Sequence, residues 1–284
     1  MYVQKIFLAI LGLSLLPVGF TLKDLQKTVA KTQADSIPSE FQTILQTQGI
    51  QVYQRITDIL SPTPTIRKEF ITVVDISKAS LRNLTGNLTE NKTGEIKVSK
   101  KTLTQFWKDS HGKSSSNKKI QVILNGAFFS TKQNPTGIAF GLQTNGKLIT
   151  YGYGVGNEYP GQITTFAFQP SLSNAAIGAY IPRTFIIYPE VVGALHPLAN
   201  KSANKYLPRT FVGIKDKNKD GVNETVIFYS SNYARQIDAI ATLRKFGTHR
   251  NAMLDGGGST GIIVNGTPLI ITNRPIPHAI AIYQ

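Results

Sequence analysis

At 284 residues and 41% hydrophobic content, the chain has material for the core of one large domain or two small ones. The 31 Lys and Arg residues against 16 Asp and Glu leave a net charge of +15, which favours anionic partners: phosphate-bearing polymers, a membrane surface or nucleic acid. The absence of cysteine removes disulfides, zinc–thiolate sites and cysteine nucleophiles together.

The positive charge is scattered. Its densest groupings, Lys97–Lys101 and Lys113–Lys119, lie among Ser and Thr, and no arginine-rich arm, helix-turn-helix or aromatic–basic RNA signature accompanies them. Nucleic acid is therefore not an expected partner. At the N-terminus, Lys5 precedes an apolar run, Ile6–Phe20, broken only by Gly12, Ser14, Pro17 and Gly19. This is the layout of a secretory signal, and the run is short for a membrane span of ~20 residues. Residues 1–20 are read as a signal peptide or signal anchor. The protein is expected to be exported: periplasmic, extracellular, or tethered by this segment to the outer face of the inner membrane.

Residues 21–49 read as a helical spacer. Leu22, Leu25 and Val29 stand at helical spacing; a second segment has Ser36 or Ser39 as its cap, Phe41, Ile44 and Leu45 on one face, and Gly49 as its stop. Residues 50–284 are read as the functional domain. Strands are predicted at Ile50–Ile56 and Phe70–Ile76. A polar excursion from Ser80 to Ser116 follows, carrying Asn83, Asn87 and Asn91 in Asn-x-Thr triplets and a short helix at Leu103–Trp107.

The strand-like run Ile120–Leu124 enters Asn125-Gly126-Ala127-Phe128-Phe129. Thr136–Phe140 and Lys147–Thr150 flank a hairpin turn at Thr144–Lys147, and Ile163–Phe168 and Thr184–Tyr188 read as further strands. Phe211–Ile214 and Thr225–Tyr229 pair around Asp216–Glu224. A helix is predicted from Ser231 to Phe246, with Ile237, Ile240, Ala241 and Leu243 as its apolar face and Gly247 as its stop. Many strands with few helices imply an α+β fold on a mostly antiparallel sheet, a barrel-like sheet being among the forms this pattern allows.

Two stretches carry candidate chemistry. In Asn251–Gly261 a short apolar run leads into Asp255, then Gly256, Gly257 and Gly258, then the hydroxyls of Ser259 and Thr260. Consecutive glycines serve a tight turn before a strand, or close approach of the backbone to a ligand, and local sequence leaves both readings open. In the second stretch Asp216, Asn218 and Asp220-Gly221 repeat the oxygen spacing of a calcium loop, with Glu224 beyond. Ile227 occupies the place of that motif's last acid, so a solvated hairpin loop competes with a structural Ca2+ held by Asp216, Asn218, Asp220 and Glu224. No other cofactor is expected.

Four segments in order, Asn125–Phe129, Arg209–Ile214, Asn251–Ser259 and Arg274–Pro277, resemble the phosphodiester glycosidase family, with similarity running from about Phe70 to Tyr283. The resemblance implies hydrolysis between a sugar anomeric carbon and a phosphodiester oxygen, on an anionic sugar-phosphate or glycan such as an envelope polymer. On that reading Arg209 and Arg274 clamp phosphate, since a guanidinium matches its oxygens in a bidentate fashion. Asp255 is the acid/base or nucleophile, and the backbone N–H groups of Gly256, Gly257, Gly258 and Ser259 cradle an anion. Asn125, beside Gly126, orients a sugar hydroxyl or phosphate oxygen, and Phe128 stacks on the sugar ring.

The sequence places no second carboxylate: Glu158 and Glu190 stand in loop-like stretches, and a two-carboxylate scheme stays incomplete. His249 and His278 flank the motifs and read as structural. The alternative function is a non-catalytic envelope protein that binds anionic glycans through the same groove.

Overall fold

The computed structural model describes residues 37–59, 65–112 and 118–284; the signal segment and the first half of the spacer lie outside them. In chain order the strands are β1 (Gln42–Thr47), β2 (Ile50–Ile59), β3 (Thr65–Asp75), β4 (Ser80–Thr85), β5 (Leu88–Glu90) and β6 (Ile96–Val98). After helix α1 (Leu103–Gly112) come β7 (Ile120–Asn125), β8 (Leu142–Thr144), β9 (Lys147–Thr150), β10 (Ile163–Gln169) and β11 (Asn174–Ala179). Then follow α2 (Thr184–Ile187), β12 (Glu190–Leu195), β13 (Leu207–Lys215), β14 (Thr225–Ala234), α3 (Gln236–Lys245), β15 (Arg250–Met253), β16 (Ile262–Val264), β17 (Thr267–Ile270) and β18 (His278–Tyr283).

Two antiparallel sheets are stacked. The larger runs β1-β2-β3-β14-β13-β15-β12-β10-β11, with β8 and β9 attached beside β12; the smaller runs β17-β16-β7-β18-β4. Alternation along the strands assigns the layers. Val122 and Leu124 of β7 and Ile280 and Ile282 of β18 pack with Phe70, Val74, Phe166, Val212 and Phe228 of the larger sheet, forming the central core. Leu103 and Phe106 of α1 cover the other face of the smaller sheet through Ile123 and Ala281. Ala239, Ile240 and Leu243 of α3 cover the other face of the larger one through Phe211, Ile227 and Tyr229. The order is helix, sheet, sheet, helix, and Pro38–Gln284 cluster into one compact unit. Both ends of the larger sheet are open, so among the described residues no closed barrel forms. There, too, no helix is long and apolar enough to cross a membrane.

Four local expectations are overturned in the folded chain. Phe41–Gly49 is not helical: β1 pairs with β2 through a two-residue turn at Gln48-Gly49, where Gly49 has φ +88°. Ile44 and Leu45 lean on the central core, while Phe41 meets the Phe246 ring edge-on at 5.2 Å. Thr184–Ile187 is one helical turn rather than a strand; only Phe185 is buried, and Ile186 is 81% exposed. Helix α3 starts five residues later than predicted because Ser231–Ala234 complete β14. Arg235 becomes the cap, its N–H donated to Asp238 Oδ2 at 3.0 Å. The buried stripe is accordingly Ala239, Ile240 and Leu243, and Ile237 points outward at 51% exposure. Part of the supposed polar excursion is strand as well: β4 completes the smaller sheet beside β18, with Asn83 buried.

One buried charge network ties β2, β3, β14 and α3. Glu69, with no exposed surface, accepts hydrogen bonds from Arg67 (2.5 Å), Arg55 (2.6 Å) and the Tyr229 hydroxyl (2.7 Å). Arg67 also reaches Asp238 at 3.6 Å. Removing one member strands the others in low dielectric. Glu69→Leu is expected to lower the unfolding free energy by about 3–5 kcal/mol in urea titrations at neutral pH. A loss below about 1 kcal/mol would mean that water already screens the arginines.

Candidate functional site

The Asp255 loop is the place where the chain leaves one sheet for the other. Strand β15 belongs to the larger sheet, paired with β13, and β16 belongs to the smaller, paired with β7. Between them Leu254 N–H donates to Thr210 O (3.0 Å), and Asp255 N–H donates to Gly126 O (3.0 Å) at the end of β7. Each glycine has its own reason. A Cβ on Gly256 would press on the Pro208 carbonyl at 3.1 Å, Gly257 has φ +60°, and a Cβ on Gly258 would collide with the Arg274 guanidinium at 2.6 Å. The turn and the site are thus one object.

Asn125 holds this crossing. It is 1% exposed, donates from Nδ2 to Asp255 O (2.6 Å), and accepts at Oδ1 from Thr210 Oγ1 (2.8 Å) and Gly261 N (3.2 Å). Its side chain is consumed inside the protein, so the expected contact with a sugar hydroxyl or phosphate oxygen is replaced by a positioning role. Gly126 leaves room for His278, whose Nδ1 would sit 2.3 Å from a Cβ there. That nitrogen accepts the Ala127 N–H at 2.9 Å, and burial pushes the imidazole down to about 3. His278 is a neutral structural pin.

A cleft of about 460 Å³ opens over the loop. Asp255, Gly256, Gly257, Arg209 and Arg274 of the predicted set line it, as does Phe128. Burial pushes the Asp255 carboxyl up to about 6. Opposing this rise are the nearby Ser259 hydroxyl, the Gly256 N–H at 2.9 Å from Oδ1, and the charges of Lys201 and Arg274. The Ser259 hydroxyl falls short of full hydrogen-bond geometry, and its Oγ has no other partner. Half of the expected anion cradle is used internally: Gly256 N–H serves Asp255 and Ser259 N–H serves Gly256 O (3.3 Å), while the next N–H, of Thr260, serves Gly257 O (3.1 Å).

The two arginines part company. Arg274 is exposed, rests on Gly258 and has no carboxylate within ion-pair distance among the described residues. Arg209 is 4% exposed, and its donors go to main-chain carbonyls: Nε to Ala234 (3.2 Å), Nη1 to Lys201 (2.9 Å), Nη2 to Ser202 (2.6 Å) and Lys205 (3.1 Å). It moors the 201–205 loop to β14 instead of forming the predicted bidentate clamp. Phe128 likewise departs from its expected role as a sugar platform: it is 5% exposed, edge-on to Phe140 at 5.7 Å, with the Lys201 ammonium 5.3 Å over its ring.

Sequence reasoning missed Lys201 and undervalued Glu158; both line the cleft. Lys201 is brought there by Arg209's grip on its carbonyl and by cation–π contacts to Phe128 and Tyr159 (5.5 Å). The available signal for Glu158 was its isolation: it is the sole Asp or Glu between Asp109 and Glu190, set among Gly152, Gly154, Gly156 and Gly161. Glu190 is elsewhere, 5% exposed on β12, accepting N–H groups of Asn83 (3.2 Å) and Asn145 (3.1 Å) and pushed up to about 7 by burial.

The acidic loop after β13 is remote from this cleft. Asp216 stands seven positions beyond Arg209, about 23 Å along the strand. Carboxylate oxygens of Asp216, Asp220 and Glu224 gather within 4.8 Å. Asp216 accepts the N–H groups of Lys219 (2.6 Å), Asp220 (3.2 Å) and Gly221 (2.8 Å), while Asn218 turns its amide nitrogen to Asp220 (2.8 Å). The loop therefore closes on its own hydrogen bonds, with the Asn218 oxygen accepting the Asp220 N–H (3.1 Å).

The family model described as phosphodiester glycosidase matches residues 104–283. Similar solved structures include a hypothetical protein from Synechocystis, with TM-score 0.60 and 13% identity over 88% of this chain and 64% of that one. Another is the zebrafish N-acetylglucosamine-1-phosphodiester α-N-acetylglucosaminidase catalytic domain, described as auto-inhibited by its pro-peptide. It has TM-score 0.60 and 14% identity over 86% of this chain and 88% of that one. At such identities the likeness shows the fold, and this chain spans less than two thirds of the Synechocystis protein. No curated protein matches it by sequence.

The raised Asp255 value has a consequence for stability. A carboxyl that ionises near 6 when folded and near 3.8 when unfolded costs the folded state nothing at low pH. The penalty grows as pH rises through that window and is complete above it. Asp255→Asn should therefore be more stable than the parent by about 3 kcal/mol at pH 8 and equal to it near pH 3.5. Thermal melts across pH give the comparison; a pH-independent gap would contradict the assignment.

Proposed function

The chain belongs to the phosphodiester glycosidase family, and from that premise we propose that it hydrolyses the bond between a sugar anomeric carbon and a phosphodiester oxygen. The observation that carries this reading is the meeting, in one cleft, of a half-buried carboxyl raised to about 6 with two cations, Lys201 and Arg274, that make no ion pair within 4.0 Å among the described residues. The cations suit the negative charge of the substrate, and each charged hydrogen bond to phosphate contributes about 1.5–3 kcal/mol. With its carboxyl pushed up to about 6, Asp255 can both hold its proton and give it up to the departing phosphate oxygen. Products are the free sugar and a phosphomonoester. The zebrafish protein's name points to an N-acetylglucosamine-1-phosphodiester as the first substrate to try. An exported setting, with an envelope polymer as the natural substrate, rests on Lys5 and the apolar run Ile6–Phe20.

Purified protein should convert a glycosyl-1-phosphodiester to sugar and phosphomonoester, followed by 31P NMR. Asp255→Asn should lower kcat by about 10²–10⁴-fold. Arg274→Ala should raise KM by roughly 10–100-fold with a smaller effect on kcat. The rate should fall on the alkaline side of about 6 as Asp255 loses its proton. If no sugar is released from any such phosphodiester while Arg274→Ala still weakens glycan binding, the protein is an anionic-glycan binder and not a hydrolase.

A further inference from the structure

Hydrolysis at an anomeric carbon needs a group for the attacking water as well as an acid for the leaving oxygen. Among the residues lining the cleft, Asp255 and Glu158 are the two acids. Their surroundings contrast. Asp255 is half-buried in the sheet crossing; Glu158 is exposed at the rim and makes no ion pair and no side-chain hydrogen bond among the described residues.

The loop that carries it is shaped to hold it there. Glu158 N–H donates to Gly154 O at 2.9 Å, and its carboxyl carbon lies 3.1 Å from where a Cβ on Gly154 would stand, with Phe140 at 3.2 Å on the other side. Gly154 has φ +79°, so any side chain there would strain the turn and displace the acid. The next residue, Tyr159, takes φ +49°, an unfavourable value for a residue with a side chain. Packing maintains it: the Tyr159 ring is edge-on to Phe140 at 6.4 Å and lies under the Lys201 ammonium. Tyr153 stands within the fields of both acids; burial first, then the charges of Glu158 and Asp255, raise its phenol, which stays protonated between them.

Resting on the hydrolase reading above, we propose that Glu158 is the second catalytic carboxylate, the general base that activates the attacking water. Exposure at the rim supplies that water directly. In the step, the water oxygen bonds to the anomeric carbon and its proton passes to Glu158. The bond from that carbon to the phosphate oxygen breaks, its electron pair stays with the phosphate, and that oxygen takes the proton of Asp255. Solvent then returns each acid to its starting state, so one water is consumed. A single displacement of this kind inverts the anomeric configuration.

The test compares wild type, Glu158→Gln, Glu158→Ala and, as a surface control outside the cleft, Glu95→Gln. Expected are a fall in kcat of about 10²–10⁴-fold for both Glu158 variants with KM nearly unchanged. The melting temperature of both should match the parent, and Glu95→Gln should retain full rate. Azide, which needs no base, should restore turnover to Glu158→Ala and give a glycosyl azide. Proton NMR of fresh wild-type product should show inversion. Full activity in Glu158→Gln, no azide rescue, or retention in the wild type would each overturn the base assignment while leaving the hydrolase reading intact. A wild type inactive on every glycosyl phosphodiester removes both.

Discussion

The structure depends on how one loop crosses between two sheets. Strands β15 and β16 are nearly consecutive in sequence yet belong to different layers, and the few residues between them must turn through the edge of the core without leaving buried amides unpaired. Asn125 solves this with a single side chain: its amide takes the Asp255 carbonyl, while its carbonyl takes the Thr210 hydroxyl of the larger sheet and the Gly261 N–H of the crossing. Unmade hydrogen bonds at such a depth cost about 1–3 kcal/mol each, so the carboxylate of Asp255 is held where the crossing puts it. The catalytic candidate is a by-product of layer packing, positioned by groups that never meet a ligand.

Charge is divided along the same line. Arg209 is a buried cation with no carboxylate partner among the described residues; burial lowers its pKa, and carbonyl oxygens serve in place of a counterion. The 201–205 loop is wrapped around that guanidinium, and Lys201 is carried to the cleft by it. An arginine that does not reach the cleft with free donors thus delivers a lysine that does. Lys201 and Arg274 in turn limit how far burial raises Asp255, since positive charge favours the ionised form. The value of about 6 is a balance between desolvation on one side and, on the other, the Ser259 hydroxyl, the Gly256 N–H and the two cations.

The aromatic side of the cleft belongs partly to the core. Phe128 and Phe140 join a cluster with Phe211, Met253 and Leu195, on the α3 face of the larger sheet, and Tyr159 leans on it. Well-packed rings under a strained loop give a rigid floor, which is the support a rim carboxylate needs if it is to keep its place.

By itself the sequence determined the strand runs with strong β-branched content, the Asn145-Gly146 hairpin, the helix before Gly247, and the four motifs that mark the family. These are legible because each rests on neighbouring residues: alternation, a φ requirement, a helix stop. Tertiary structure alone decided the rest. Phe41–Thr47 has helical spacing but found a strand partner in β2, and Thr184–Ile187 has strand composition but only one side chain with a core to enter. Arg209 and Arg274 are the same chemistry at motif positions, and only the surrounding carbonyls determine which one keeps its donors free. Glu158 lies 97 residues from Asp255 along the chain. No local pattern links them, because their meeting depends on how two distant loops fold over the same edge of the stacked sheets.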